Sequence, residues 1–300
     1  MKGNSHIGKL VIGAIAILGV LFGSCKRKDA IITTSSDIKF ASITNAKMAY
    51  KIVGSGDPLI MCIGYASNMD LWSTEVIEIL RQKYKVIVFD YRGMGYSTNS
   101  DTSFTIPTLA EDVNEILTVL NISKAHVLGW SMGGFVAQMF AIDHPEKVNK
   151  LILYATNFGD TMSVKPSQEI SDILSSPLST PAEQLSTLFS NEWLAAHPEP
   201  WKYLPNVKEP YNPATIGLQY YAVQGWLSEG GGSAGHLYQL KMPVLLICGN
   251  QDKVVPCLNS SMLSDSIPTA SLIKVNDSGH GLMFQLPQTF GNYVVTFLTQ

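Results

Sequence analysis

The chain has 300 residues, 46% of them hydrophobic and only 15% charged, with a net charge of −3 at pH 7. That apolar share excludes a mainly disordered chain, and the slight acidity leaves no basic footprint for nucleic acid. Four cysteines are too few for a disulfide scaffold, and the length fits two domains or one α/β domain with an insertion.

Residues 10–22 contain only glycine, alanine and larger apolar side chains, preceded by Lys2 and Lys9 and followed by Gly23, Ser24 and Cys25. A run of this length is too short to span a membrane, which takes about 18 residues. Its charged, apolar and small-residue regions read as a secretory signal. Residues 21–25 resemble a bacterial lipoprotein signal, with Phe22 where leucine is usual. The expectation is a signal over 1–24, lipidation of Cys25, a polar tether over 25–36, and a chain exported and anchored to a membrane by that lipid alone. A plain signal or an accidental apolar tail are the alternatives. Of the other thiols, Cys62 and Cys248 lie inside apolar runs and read as core residues. Cys257 is taken as a third free thiol, against the alternative of a Cys248–Cys257 bridge in an oxidising compartment. No cysteine spacing suits a metal.

Further along, 38–43 and 46–53 read as two strands around Thr44 and Asn45. Short apolar runs at 59–63, 86–89, 125–128, 151–155, 244–248 and 271–275 read as buried parallel strands. Helical patterns separate them, near 72–82 and through Leu109, Val113, Ile116, Leu117 and Leu120. The alternation predicts a doubly wound, mostly parallel sheet of eight strands. The sheet-bearing core is expected over 37–156 and 241–300. Between them, 157–240 is rich in proline and carries Trp193, Trp201 and Trp226. It closes on a glycine-rich stretch at 230–235, read as a flexible joint. The segment reads as a helical lid, or else as a fixed packing layer.

Gly129-Trp130-Ser131-Met132-Gly133 matches G-x-S-x-G between an apolar strand and a helical pattern, the context that this motif requires. The turn exposes the Ser131 hydroxyl, and Gly129 and Gly133 allow strand and helix to approach closely. Met132 N–H then opens a helix, where negative charge is stabilised. A serine nucleophile needs a base. Among six histidines, His6 lies in the signal, His126 reads as a buried and satisfied strand residue, His144 as structural, and His197 and His236 fall in the insertion. His280 follows the last strand between two glycines, at the sheet edge where sites assemble. Asp252 follows the strand before it and suits the orienting carboxylate. Asp160 is the weaker candidate.

The chain order Ser131, Asp252, His280 resembles the α/β-hydrolase fold superfamily, in its serine ester hydrolase and lipase-like branch. The stretch 89–97, with Asp90, Arg92, Gly93, Gly95 and Ser97, is similar to a segment that is structural in that family. The resemblance implies an acyl-enzyme on a Ser-His-Asp triad, with Tyr65 N–H and Met132 N–H as oxyanion donors and no cofactor or metal. One departure stands out. The family commonly has His-Gly after the third strand, and here the residues are Ile63-Gly64, which puts the internal bonding of that loop in question. Serine at 131 argues against the dehalogenases, epoxide hydrolases and dienelactone hydrolases of this fold, which use Asp or Cys there. The expected activity is cleavage of a small-molecule carboxylic ester, with Trp72, Trp130 and the insertion aromatics, among them Tyr220 and Tyr221, suggesting an apolar acyl pocket or, for those of the insertion, packing of its own core. The alternatives are a cofactor-free haloperoxidase or perhydrolase activity on the same residues, or a non-catalytic ligand-binding lipoprotein.

Overall fold

The computed structural model describes residues 37–300 except Pro177 and Pro210. The expected signal, Cys25 and the tether lie outside the described residues. In chain order the elements are β1 (Lys39–Ile43), β2 (Ala46–Val53), β3 (Asp57–Cys62), α1 (Thr74–Leu80), β4 (Tyr84–Phe89), α2 (Ile106–Val119), β5 (Ala125–Trp130), α3 (Met132–Asp143) and β6 (Val148–Tyr154). There follow α4 (Gln168–Ser175), α5 (Pro181–Leu188), α6 (Asn191–Ala196), α7 (Pro213–Trp226), β7 (Val244–Gly249), α8 (Leu258–Ser266), β8 (Ala270–Val275), α9 (Leu282–Gln285) and α10 (Pro287–Thr299).

The eight strands form one sheet in the order β1-β2-β4-β3-β5-β6-β7-β8. The β1–β2 and β2–β4 pairs are antiparallel and the remaining pairs parallel. The expected doubly wound, mostly parallel sheet is therefore present. Its central strands are mainly apolar because helices cover both faces: every residue of β5 and β7 is buried, with His126 the one ionisable side chain among them. Edge strand β8 is half-buried. Helix α2 shows how the sequence sets its own ends. Thr105 and Thr108 form a reciprocal capping box, and Ile106, Leu109, Val113, Ile116 and Leu117 bury one face.

Four helices, α4 to α7, lie between β6 and β7, where the strand alternation lapses. Part of the glycine-rich stretch at the end of that insertion, expected as a flexible joint, is docked, whereas Gly230 and Gly235 stand exposed with open space around them. Ser233 is buried, its N–H donates to Phe158 O at 2.8 Å, and its hydroxyl donates to Gln138 Oε1 at 2.7 Å. A Cβ on Gly232 would collide with Phe158 O, so the small residues serve close packing. Cys248 and Cys257 also depart from expectation: they are joined in a disulfide with their Cα atoms 5.5 Å apart. The chain leaving β7 doubles back before α8 and brings the two into bridging range, which linear spacing could not reveal. Cys62 is a buried free thiol, as expected, and burial pushes its pKa up to about 12. Among the described residues no helix is long and apolar enough to cross a membrane.

Candidate active site

Strands β3, β5, β6, β7 and β8 run parallel, so their carboxyl ends share one sheet edge. Ser131 sits at that edge, between β5 and α3, with φ 56° and ψ −122°. A non-glycine residue there is strained, and only firm surroundings hold it. Ser131 N–H donates to Tyr154 O at 3.0 Å, and its carbonyl accepts Gly134 N–H and the Thr156 hydroxyl, both at 2.8 Å. The glycines act as expected. A Cβ on Gly129 would strike the Gly133 carbonyl oxygen, and one on Gly133 would strike that of Cys62.

His280 and Asp252 come together as the sequence predicts. His280 Nδ1 lies 2.8 Å from Asp252 Oδ2, with both residues buried. The other carboxylate oxygen accepts Val254 N–H at 2.9 Å and Val255 N–H at 2.8 Å. An Nδ1–H tautomer follows from that acceptor-only partner, leaving Nε2 free to accept. The histidine loop is tied down elsewhere too. The Tyr154 hydroxyl donates to His280 O at 2.5 Å, Gly279 N–H donates to Gln285 Oε1 at 2.7 Å, and Gly281 N–H donates to Leu188 O at 2.6 Å. Asp160 is not part of this group. Its carboxylate accepts from Thr161 N–H and the Thr161 hydroxyl, which hold its pKa below the usual range.

Met132 N–H occupies the first turn of α3, where no intrahelical acceptor exists. Across from it, a Cβ built on Gly64 would stand 3.5 Å from Ser131 Cβ, so the loop after β3 runs beside the serine. Ile63, in the place of the family's histidine, is fully buried in the core and offers the loop no hydrogen bond. The ties come from the insertion instead. Ala66, at φ 51°, donates its N–H to Gln219 Oε1 on α7 at 2.9 Å. The Tyr65 hydroxyl donates to Ile216 O at 3.4 Å, and Asn68 Nδ2 donates to Glu209 O at 3.3 Å. Burial pushes the Tyr65 pKa up to about 12, so the phenol stays a neutral donor.

A small cavity of about 60 Å³ opens onto Ser131 and His280, with Leu71, Leu174, Leu188 and Phe284 in its wall. Tyr65 and Trp130 also line it, but the other aromatics proposed from sequence do not. Trp226 stacks on Phe135 with centroids 5.0 Å apart, and Trp193 stacks on Phe189 at 4.5 Å and His197 at 4.2 Å. Trp72 is buried, 6.3 Å from Trp130, and Tyr221 is exposed against Tyr220. Trp193 thus packs within the insertion and Trp226 docks it on α3 of the core, while leucines are the commonest apolar residues of the cavity wall.

The 89–97 stretch is structural, as expected. Asp90 accepts Met69 N–H at 2.7 Å and Tyr96 N–H at 2.9 Å, the Ser97 hydroxyl donates to Asp90 O, and Arg92 pairs with Asp112. Burial raises the Asp90 pKa to about 7. His144 pairs with Glu111 at 2.9 Å. His126 is buried against Tyr84, but its Nδ1 has no hydrogen-bond partner, and burial lowers its pKa so that it stays neutral. Sequence reasoning missed Gln219, Tyr154 and Gln285. No motif marks them, although Ile63 signalled that the loop beside Ser131 needed support from elsewhere. Among the described residues no cluster of three or more His, Cys, Asp or Glu is placed to hold a metal.

Comparison with known proteins places this site in a family. A family model described as alpha/beta hydrolase fold matches residues 57–287. An uncharacterized protein of Mycobacterium tuberculosis is 26% identical over 277 residues, covering 87% of this chain and 81% of its own. A poly(3-hydroxyalkanoate) depolymerase of Ectopseudomonas oleovorans is 28% identical over 247 residues, 81% of this chain and 84% of its own. Among solved structures, a hydrolase from Pseudomonas aeruginosa matches with a TM-score of 0.73 at 24% identity, over 89% of this chain and 100% of its own. With the sheet order, the strained serine turn and a family match over most of its length, this chain belongs to the alpha/beta hydrolase fold family.

Proposed function

We propose that this alpha/beta hydrolase cleaves carboxylic esters with a small apolar acyl group, through an acyl-enzyme on Ser131. One observation carries the reading: the strained Ser131 and the buried His280–Asp252 pair open onto one mainly apolar cavity. His280 Nε2 takes the hydroxyl proton as Ser131 Oγ attacks the ester carbonyl carbon. Asp252 fixes the tautomer and steadies the imidazolium. Met132 N–H and Tyr65 N–H hold the developing oxyanion, each worth roughly 3 kcal/mol. Collapse returns the proton to the leaving alcohol, and a water activated by His280 releases the acid. A cavity of about 60 Å³ is far below the several hundred Å³ of a drug-sized site, which favours short acyl chains while the insertion stays seated.

Ser131→Ala is the decisive variant. Turnover of p-nitrophenyl butyrate should fall about 10⁴-fold or more, with loss of fluorophosphonate labelling. Normal turnover by this variant would sink the assignment, and an unlabelled wild-type protein would indicate a binder without catalysis. An ester series from acetate to octanoate should peak at short chains. Peroxide-dependent halogenation outrunning every ester would replace hydrolysis by peracid chemistry on the same residues.

A further inference from the structure

The loop beside Ser131 poses a problem that the proposed reaction inherits. Its peptide groups must keep one orientation if Tyr65 N–H is to meet the oxyanion, yet Ile63 supplies no internal bond. Ala66 adds strain, being a non-glycine residue at φ 51°. Such a conformation persists only when its neighbours hold it.

The holder is Gln219. Its side chain is fully buried on α7, and its carboxamide oxygen accepts Ala66 N–H at 2.9 Å. The Ser67 hydroxyl donates to the Tyr65 carbonyl at 3.0 Å, so both polar ends of the peptide between Tyr65 and Ala66 are engaged. The preceding peptide, which carries Tyr65 N–H, is then constrained through a single Cα. Three more ties join the same loop to the insertion: the Tyr65 hydroxyl to Ile216 O, Asn68 Nδ2 to Glu209 O, and Lys208 N–H to Asp70 Oδ2. The loop thus rests on the insertion for the bonds that the Ile63 side chain cannot make.

We propose that Gln219 is a positioning residue for the oxyanion hole: by accepting Ala66 N–H it orients the Tyr65 peptide, so the hole is complete only when α7 is seated. This inference rests on the proposed ester hydrolysis. The insertion wall of the cavity comes from α4, α5 and Leu204, whereas α7 reaches the site through the Tyr65 loop. Gln219 touches no reacting atom, so its loss should spare substrate affinity and weaken the transition state.

The test is a kinetic series on p-nitrophenyl butyrate with trifluoromethyl ketone inhibition alongside. Gln219→Met, which keeps the shape and removes the acceptor, should lower kcat about 10- to 100-fold, below the full cost of deleting an oxyanion donor. KM should stay within about two-fold, and ketone affinity should fall in parallel with kcat. Gln219→Glu keeps an oxygen at the same reach and should retain kcat within about three-fold. Should Gln219→Met fail to fold, Gln219→Asn, one methylene too short to reach Ala66, carries the same expectations. Unchanged kcat in the Met or Asn variant, a change confined to KM, or an equal loss in Gln219→Glu would overturn the proposal. Failure of the reaction itself reads differently, as continued turnover by Ser131→Ala or absence of labelling in the wild-type protein.

Discussion

His280 and the Tyr65 loop flank Ser131 on either side, and different parts of the chain secure them. The imidazole is bound by Asp252, which follows β7, and the His280 carbonyl by the Tyr154 hydroxyl at the end of β6. Both partners belong to the sheet edge. The insertion also touches the histidine loop, where Gly281 N–H donates to Leu188 O and the Ser190 hydroxyl to Asp277 O, but it does not supply the partner of the ring. On the other side Ala66, Tyr65, Asn68 and Asp70 all bond to insertion residues. On the proposed reading proton transfer rests on the sheet edge, while the oxyanion side leans on the insertion in addition to its core ties, Met69 N–H to Asp90 and Lys51 to Asp70. On that same reading a movement of α7 should disturb the oxyanion side first and leave the His280–Asp252 pair assembled.

The largest effect should come from the sheet-borne side. Asp252→Asn removes the acceptor that sets the His280 tautomer, and kcat should fall by about 10⁴-fold with the fold retained. Steady-state kinetics and a thermal melt measure both; a loss below ten-fold would transfer the orienting role elsewhere. Next comes the disulfide. It joins Cys248 to Cys257 across the loop that contains Asp252. Closing a loop of about ten residues is worth roughly 2–3 kcal/mol in the chain-entropy account. Cys257→Ser should lower the denaturation midpoint accordingly, with kcat reduced more than KM is changed. A reductant should do the same to the wild-type protein and nothing to the variant. If the reductant moves neither, the bridge is absent in solution and the rigidity of the acid loop has another source.

How much of this was legible in the sequence follows the same division. Ser131, Asp252 and His280 were readable because each lies just past a short apolar strand, and strand ends of a parallel sheet must meet at one edge. The central strands were readable for a related reason: β5 and β7 are buried on both faces and leave short, mainly apolar runs. The insertion obeys no such rule. Trp193 and Trp226 looked like pocket walls because aromatic side chains suit both a pocket and a core, and only their stacking on Phe189 and Phe135 decides. Gln219 lies 153 residues from Ala66, with no pattern linking the two. The bridged cysteines were misread because an apolar run around Cys248 fits a buried thiol as well as a disulfide.

The smallest effect is the one that most sharpens the division. Tyr154 is fully buried; its hydroxyl donates to His280 O at 2.5 Å and accepts Met283 N–H at 3.2 Å, while its ring packs on Trp130 and Phe290. Tyr154→Phe keeps the ring and removes the latch, leaving a buried carbonyl and N–H without that partner, at a cost of about 1–2 kcal/mol. Chemical denaturation should register that loss, and kcat should fall several-fold as the histidine loop gains freedom. Combining it with Gln219→Met makes the comparison quantitative. Tyr154 and Gln219 share no hydrogen-bond partner, so their effects on kcat should multiply. If the double variant is no slower than the slower single one, the two sides of the site move as one body, and the insertion governs proton transfer as well as the oxyanion hole.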